Sequence, residues 1–192
     1  MLQSKTSLTI EQFLAQPETD LNYELIDGQA VAKMSPKLFH SLIQLTLVNL
    51  LKQWHQNQGI AIQEWAITLK RHGKDWVPVP DVIYISYNRL GQNWLQDQAC
   101  PTAPELAIEI ISPGQSFGNL AEKAVDYLKA DVLRVWVVDI HARTITVFYP
   151  DSVPETLRGK AILTDTLFEG LQLTPQQIFQ QAGLPESEQE TQ

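Results

Sequence analysis

The sequence ELAIEIIS at positions 105–112 is an almost continuous apolar run after Glu105, and a second acid, Glu109, interrupts it near its middle. An apolar run without alternation is typical of a strand that is buried on both faces of a sheet. The sequence LRVWVVD at 133–139 has the same character, and a helical pattern over 118–130 separates the two runs. A buried strand, a helix and a second buried strand predict the centre of a sheet that is covered by helices.

The segments on either side extend this sheet. Towards the N-terminus, the patterns predict a helix at 10–16 and then a hairpin in which 22–26 pairs with 29–34 around the turn Asp27-Gly28. The patterns then predict a long helix that begins at Ser35-Pro36 and ends near 57. They also predict strands at 61–69 and 81–86. Towards the C-terminus, they predict a hairpin partner in HARTITVFY, short strands near 157–163 and a helix at 175–182. Crossover and hairpin connections together predict an α/β fold of the α+β type, with a central mixed β-sheet flanked by helices.

The length of 192 residues suits one sizeable core, so we expect a single domain at 1–182 and a flexible polar tail at 183–192. No apolar run reaches the roughly 18 residues of a membrane span, and the N-terminus has no apolar signal core. The single cysteine, Cys100, excludes an internal disulfide and fits a reducing compartment. These observations predict a cytoplasmic protein that does not enter a membrane.

The charge is unevenly distributed. The chain has a net charge of −8, yet residues 33–74 contain six basic residues and one acid, Glu64. A basic segment in an acidic protein is a candidate contact for the phosphates of a nucleic acid. The alternative is that these side chains are only the solvated face of a helix and a hairpin, and charge alone favours that interpretation.

Two carboxylates are candidates for a metal site. Glu109 lies in an apolar strand, where an acid is rare unless it is paired or bound to a metal, and Asp81 opens a neighbouring strand after Pro80. Two converging acids suit a hard cation such as Mg²⁺ or Mn²⁺. The alternatives are an ion pair between Glu109 and Arg134 or Arg143, and a turn role for Asp81.

A nuclease also needs a cation near the phosphate, and Lys123 is the candidate. On a helical wheel of 120–130 it lies at the border of the apolar stripe, from which a long side chain can extend towards Glu109. The same wheel directs Glu122, Asp126 and Lys129 to solvent. The alternative is a lysine at a helix border with no role in a site.

The motifs together resemble a known family. They are PD at 80–81, EIISP at 109–113, K-x-x-x-Y at 123–127, VWVVD at 135–139, YELIDG at 23–28, and MSP at 34–36 followed by His40. Their order and spacing over residues 8–150 resemble the Uma-type family of restriction endonucleases, a branch of the PD-(D/E)XK nuclease superfamily. The resemblance implies a restriction-endonuclease-like fold and Mg²⁺- or Mn²⁺-dependent hydrolysis of phosphodiester bonds.

The resemblance also implies roles for individual residues. Asp81 and Glu109 match the two acids of the motif and would be metal ligands, with the carbonyl oxygen of Ile110 as a possible third ligand. The superfamily lysine follows the second acid by two residues, where this chain has Ile111. In this branch the lysine has moved to the next helix, and Lys123 matches that position.

Glu24 resembles a further catalytic acid near the site, and His40 is a weaker candidate. The resemblance implies DNA as the substrate and a homodimer as the assembly, since cutting a duplex needs two sites. The alternative is a catalytically inactive module that keeps the fold and binds a nucleic acid or a protein. Ile111 and the acidic net charge favour that alternative, whereas the retention of Asp81, Glu109 and Lys123 favours the enzyme.

Overall fold

The computed structural model describes residues 7–17, 22–92 and 94–185. The helices in these ranges are α1 (Ile10–Leu14), α2 (Leu38–His55), α3 (Tyr87–Leu90), α4 (Phe117–Lys129) and α5 (Pro175–Gln181), with a 3-10 turn at Thr166–Phe168. The strands are β1 (Tyr23–Ile26), β2 (Gln29–Ala32), β3 (Gly59–Gln63), β4 (Leu69–Arg71), β5 (Lys74–Trp76), β6 (Val82–Ser86), β7 (Leu106–Ile110), β8 (Arg134–Asp139), β9 (Thr144–Phe148) and β10 (Glu155–Arg158).

Six strands form the central sheet in the order β10-β9-β8-β7-β6-β3. β7 and β8 are parallel and are joined through α4, and the other neighbours are antiparallel. A parallel pair needs such a crossover, whereas antiparallel neighbours accept short turns. The prediction of a mixed central sheet flanked by helices is confirmed.

Alternate residues of the sheet pack into two separate cores. Tyr84 and Trp136 belong to the core on the side of α2 and α5, while Ala107 and Val135 belong to the core that contains the buried Tyr127 of α4. All five residues of β7 are buried, as expected for a strand with helices on both faces. The Glu109 carboxylate on β7 is therefore covered by the fold and does not lie on a solvent-exposed face of the sheet.

Two hairpins, β1-β2 and β4-β5, lie outside the central sheet. The first is attached to the segment before β6, because Leu25 and Val77 exchange two backbone hydrogen bonds of 3.1 Å. Asp27 and Gly28 form its turn with positive φ angles of 50° and 76°, as the sequence predicts. This attachment brings the hairpin to the end of the sheet where β6 begins.

Several predicted boundaries were wrong. The strand at 61–69 ends at Gln63, because Glu64 adopts a left-handed φ of 51°. The segment between Gln63 and the strand predicted at 81–86 contains the β4-β5 hairpin, and the short strands predicted near 157–163 reduce to β10. Helix α2 begins at Leu38 after the N-cap Lys37, so Ser35 does not cap it.

The C-terminal segment packs onto the core as far as the structure describes it. Leu184 is buried, and its N–H donates to Phe179 O at 3.2 Å. The rest of the tail predicted at 183–192 lies, from residue 186, outside the described residues. None of the helices in the described ranges is long and apolar enough to cross a membrane.

Candidate active site

The pairing of β6 with β7 brings the two acids together. Val82 pairs with Ile108 in an antiparallel register, and extending that register by one residue sets Asp81 opposite Glu109. Directly opposed residues of an antiparallel pair project on the same side of the sheet. The two carboxylates therefore share one end of the sheet although 28 residues separate them in the chain.

Asp81 is buried and fully engaged. Its Oδ1 accepts from Lys33 Nζ at 2.6 Å, while Oδ2 lies 3.1 Å from His40 Nε2 and accepts from Ile110 N at 2.7 Å. Burial alone would raise the pKa of Asp81, but the His40 hydrogen bond and the Lys33 charge outweigh it and lower the pKa to about 2. The carboxylate is thus ionised at neutral pH.

Glu109 is buried with different partners. Its Oε1 accepts from Tyr127 OH at 2.8 Å and lies 3.0 Å from Lys123 Nζ. Burial raises the pKa of Glu109, Lys123 partly offsets this, and the nearby Asp81 and Glu24 charges raise it further. The carboxylate therefore lies where added positive charge would be favourable.

The suggested arginine partners of Glu109 are engaged elsewhere. Arg134 forms an ion pair with Asp165, and Arg143 donates to Pro185 O at 2.6 Å. The alternative of an arginine ion pair for Glu109 is therefore wrong.

Lys123 connects the acid on the sheet to the acid on the hairpin. Its Nζ donates to Glu24 Oε1 at 2.8 Å and also lies 3.0 Å from Glu109 Oε1. The two carboxylates raise the pKa of Lys123 against the opposing effect of burial. Its position on the border of the apolar face of α4 allows this reach, and Tyr127 lies one turn further along the same helix.

Glu24 also holds the segment that leads into β6. Its Oε1 accepts from Val79 N at 3.0 Å, and Val79 O accepts from Lys33 Nζ at 2.9 Å. Pro78 and Pro80 flank Val79 and have no N–H to offer a neighbouring strand. The two prolines thus offer no N–H for backbone pairing at these positions, and Asp81 lies immediately before β6.

Some residues of this cluster were not singled out from the sequence. Lys33 was counted only as part of the basic segment, and Tyr127 only as part of the apolar stripe of α4 and as the tyrosine of the K-x-x-x-Y motif, with no role in the site. Gln44 was not considered at all, although its Nε2 donates to Asp81 O at 3.2 Å. A polar side chain on the buried face of a long helix was the one available signal for Gln44.

Asp126 was expected to face solvent but is buried. It accepts from Arg71 Nε at 2.7 Å and contacts His72 at 3.3 Å, both from the β4-β5 hairpin. The helical wheel predicted that the side of α4 with Asp126 faces solvent, but the β4-β5 hairpin covers that side. Asp126 is therefore a structural ion-pair residue that ties this hairpin to α4.

The basic segment is largely neutralised within the protein. Four of its side chains form ion pairs with acids, namely Lys33 with Asp81, Lys70 with Asp75, Arg71 with Asp126, and Lys74 with Asp27. Lys37, at the start of α2, is exposed. The basic side chains of residues 33–74 are present as predicted, but most of them are paired with acids. They therefore do not form a continuous positive surface for phosphates.

The chemistry of the donors fits a hard divalent cation. Asp81, Glu109 and Glu24 supply carboxylate oxygens at one end of the sheet, and Mg²⁺ commonly takes one or two carboxylates and fills its other positions with water and phosphate. No set of three or more acidic, histidine or cysteine side chains converges at metal-binding distance within residues 7–17, 22–92 and 94–185. The ammonium groups of Lys33 and Lys123 instead contact the carboxylates.

Comparison with known proteins places this site in a family. A family model named Uma2 and described as "Putative restriction endonuclease" matches residues 10–176. The chain belongs to the Uma2 family. The match covers Asp81 before β6, Glu109 on β7 and Lys123 on α4, and it confirms the family resemblance that the motifs predict.

One solved structure agrees with this membership. The Uma2 chain is similar to a crystal structure titled as a putative nuclease belonging to DUF820 from Anabaena variabilis, with a TM-score of 0.80 and 26% identity over 91% of this chain and 99% of that one. A fragment of a putative HsdR subunit of a type I restriction enzyme from Vibrio vulnificus has a TM-score of 0.39 and 13% identity over 78% of this chain and 26% of that one. The comparison with curated proteins found no match.

Proposed function

We propose that the Uma2 chain is a metal-dependent endonuclease that hydrolyses phosphodiester bonds of DNA. The observation that carries this proposal is the position of Lys123, whose Nζ lies 3.0 Å from Glu109 on β7, opposite Asp81. Metal-dependent hydrolysis of a phosphodiester requires acids that hold the metal and a cation near the phosphate. Glu109 and the opposing Asp81 would supply the acids, and Lys123 would supply the cation.

The two strand acids would hold the metal, Mg²⁺ or Mn²⁺. Asp81 is ionised over the physiological range, and Glu109 gains most from an added positive charge, because its present environment disfavours the ionised form. The bound metal would polarise the phosphate and lower the pKa of a coordinated water. Ile110 N–H and His40 fix the Asp81 carboxylate in one orientation.

Lys123 would orient the attacking water or stabilise the charge that develops on the phosphate. Its ammonium is held by Glu24 at 2.8 Å, so Glu24 would set the position of the lysine from the hairpin side. The superfamily lysine would stand at position 111, close to Glu109. Lys123 contacts the same Glu109 from α4. The departure at Ile111 is therefore compatible with an active site.

An inactive nuclease-fold module is the second candidate. It is favoured by the ammonium groups of Lys33 and Lys123, which already neutralise Asp81 and Glu109 at 2.6 Å and 3.0 Å. A site that never binds metal would be stabilised by such ion pairs. Metal binding separates the two candidates, because an inactive module of this kind gains no stability from a divalent cation.

We also propose a homodimer as the cleaving assembly and the cytoplasm as its location. Cutting both strands of a duplex requires two active sites, and a twofold dimer supplies them in a symmetric arrangement. The buried, free Cys100 fits a reducing compartment. Light scattering with and without a duplex oligonucleotide tests the assembly.

Thermal unfolding and plasmid nicking, measured side by side, test the function. Wild type, Asp81→Ala and Glu109→Ala are compared with and without millimolar Mn²⁺ on a supercoiled plasmid. We expect a metal-dependent rise in melting temperature and nicking in the wild type, with both lost in each folded variant. Metal-independent melting together with an intact plasmid would favour the inactive module.

A further inference from the structure

An apolar cleft with basic edges adjoins the acidic cluster. Its volume is about 290 Å³. It is lined by residues from the start of α2, the segment after β7 and the β8-β9 turn, namely Lys37, Leu38, Phe39, His40, Ile111, Pro113, Ile140 and His141. Neither the family match nor the similar structures assign a ligand to this cleft.

His40 connects the cleft to the proposed metal site. Its Nε2 lies 3.1 Å from Asp81 Oδ2, and the residue is only 5% exposed while it lines the cleft. Its Nδ1 is buried and has no hydrogen-bond partner among the described residues. A buried polar atom without a partner carries a free-energy cost that a bound polar group would relieve.

The walls of the cleft combine two kinds of surface. Phe39, which is 45% exposed, and Ile111 provide apolar area for a flat ring. Lys37 adds positive charge at the N-terminus of the 18-residue helix α2, whose N-cap makes no side-chain hydrogen bond, so first-turn N–H groups remain available to an anion. A ring beside a phosphate is the composition of a nucleotide.

We propose that this cleft binds one unpaired nucleotide of the substrate, next to the phosphate that is cleaved. The base would stack on Phe39, a polar group of the base or sugar would meet His40 Nδ1, and the adjoining phosphate would lie towards Lys37. This inference rests on the proposed nuclease function and adds a substrate class, a strand that is single-stranded or locally unpaired at the cleavage site.

The size of the cleft supports one nucleotide rather than a duplex. Its volume of about 290 Å³ lies just below the range of roughly 300–1,000 Å³ that is usual for ligand pockets. A base within a duplex has both faces covered by its neighbours and must leave the stack before a protein side chain can contact its face. A duplex could engage the cleft only after a base had flipped out.

Binding of labelled oligonucleotides tests this inference. Fluorescence anisotropy compares a single-stranded DNA with the duplex of the same sequence, both with nuclease-resistant phosphorothioate linkages, in millimolar Mn²⁺. The cleft variants are Phe39→Ala and Lys37→Ala. The matched controls on α2 are Leu45→Ala, which removes an apolar side chain that is 54% exposed outside the cleft, and Lys52→Ala, which removes an exposed lysine in the last turn.

We expect the wild type to bind the single strand more tightly than the duplex. Phe39→Ala should weaken single-strand binding about tenfold or more, as stacking on an aromatic side chain predicts, and Leu45→Ala should not. Lys37→Ala should weaken binding more than Lys52→Ala. Equal affinity of wild type, cleft variants and controls would overturn the inference, as would a preference for duplex that Phe39→Ala does not change.

Two further readouts distinguish the nucleotide site from the catalytic function and from a contact between subunits. Metal-dependent nicking by a wild type that shows no cleft-dependent binding would leave the proposed function standing and reject the nucleotide site. Cleft-dependent binding without nicking would reject the catalytic function but keep the site. A halved mass of Phe39→Ala in light scattering, with unchanged oligonucleotide affinity, would show that the cleft is instead an interface between copies of the chain.

Discussion

Lys33 Nζ lies 2.6 Å from Asp81 Oδ1 and connects the β1-β2 hairpin to the acid that opens β6. The lysine side chain is 17% exposed and the aspartate side chain 3% exposed, so water screens the pair only weakly. A divalent cation at Asp81 would have to displace this ammonium or share the carboxylate with it. Lys33 is thus a competitor for the proposed metal.

Replacing Lys33 should therefore tighten metal binding. In Lys33→Met, we expect Mn²⁺ to bind about tenfold more tightly than in wild type, because no ammonium has to be displaced, which corresponds to about 1.4 kcal/mol. Calorimetric titration measures the affinity. Lys52→Met is the control, since its exposed lysine lies in the last turn of α2, and unchanged affinity in Lys33→Met would show that the lysine does not compete.

Removing Lys123 should make the protein depend on metal for stability. Lys123→Met leaves Glu24 and Glu109 as neighbouring acids without their shared cation. We expect unfolding to become easier by about 3 kcal/mol, as for a broken buried ion pair. Millimolar Mn²⁺ should then raise the melting temperature more in Lys123→Met than in wild type. An equal rise in both proteins would contradict a metal position close to these acids.

Asp81 should contribute stability at neutral pH that disappears in acid. Its pKa is lowered to about 2 from 3.8, so its ionised form is favoured in the folded state. The contribution is fully present above the unfolded value near pH 4 and is lost as pH falls towards 2. Asp81→Asn should therefore unfold more easily than wild type by about 2 kcal/mol at pH 7. In denaturant titrations, the difference in the free energy of unfolding between the two proteins should shrink below pH 4. A difference that persists to pH 2 would contradict the lowered pKa of Asp81.

Glu109 should behave in the opposite way. Burial raises its pKa, so its ionised form is disfavoured in the folded state without metal. Glu109→Gln should therefore be more stable than wild type at neutral pH, and this gain should shrink as pH falls through the folded pKa of Glu109. The same variant should lose the stabilisation by Mn²⁺. Thermal melts over pH test both effects, and a less stable Glu109→Gln would indicate that the acid has a structural role.

The ion pair of Arg71 with Asp126 provides a control outside the site. Asp126→Asn should destabilise the fold by about 1–3 kcal/mol, because the 2.7 Å contact joins the β4-β5 hairpin to α4. Metal affinity and nicking should be unchanged in the folded variant. If Asp126→Asn lost activity at a temperature where it is folded, the loss of activity in other acid variants would no longer identify the site.

The sequence predicted the features that depend on local patterns. The apolar runs identified β7 and β8, and an acid inside such a run identified Glu109 as a residue that needs a partner. The helical wheel placed Lys123 within reach of Glu109, and the structure brings the two atoms to 3.0 Å. These predictions succeed because strand and helix geometry fix the direction of a side chain over short distances.

The features that were missed depend on how distant segments pack. Lys33 meets Asp81 only because Leu25 pairs with Val77 and carries the hairpin to the end of the sheet. Asp126 is buried only because a hairpin 55 residues earlier covers it. The strand ends before Glu64 because this residue has a left-handed backbone conformation, and no glycine or proline in the sequence indicates it. No local pattern contains this information.

The measurement that tests the central claim most directly is the rate of plasmid nicking by Lys123→Met in saturating Mn²⁺, compared with wild type. If Lys123 acts on the water or the phosphate beside Glu109, the rate should fall by about 100-fold or more while calorimetry still detects bound metal. Nicking at the wild-type rate by a folded, metal-bound Lys123→Met would contradict the account.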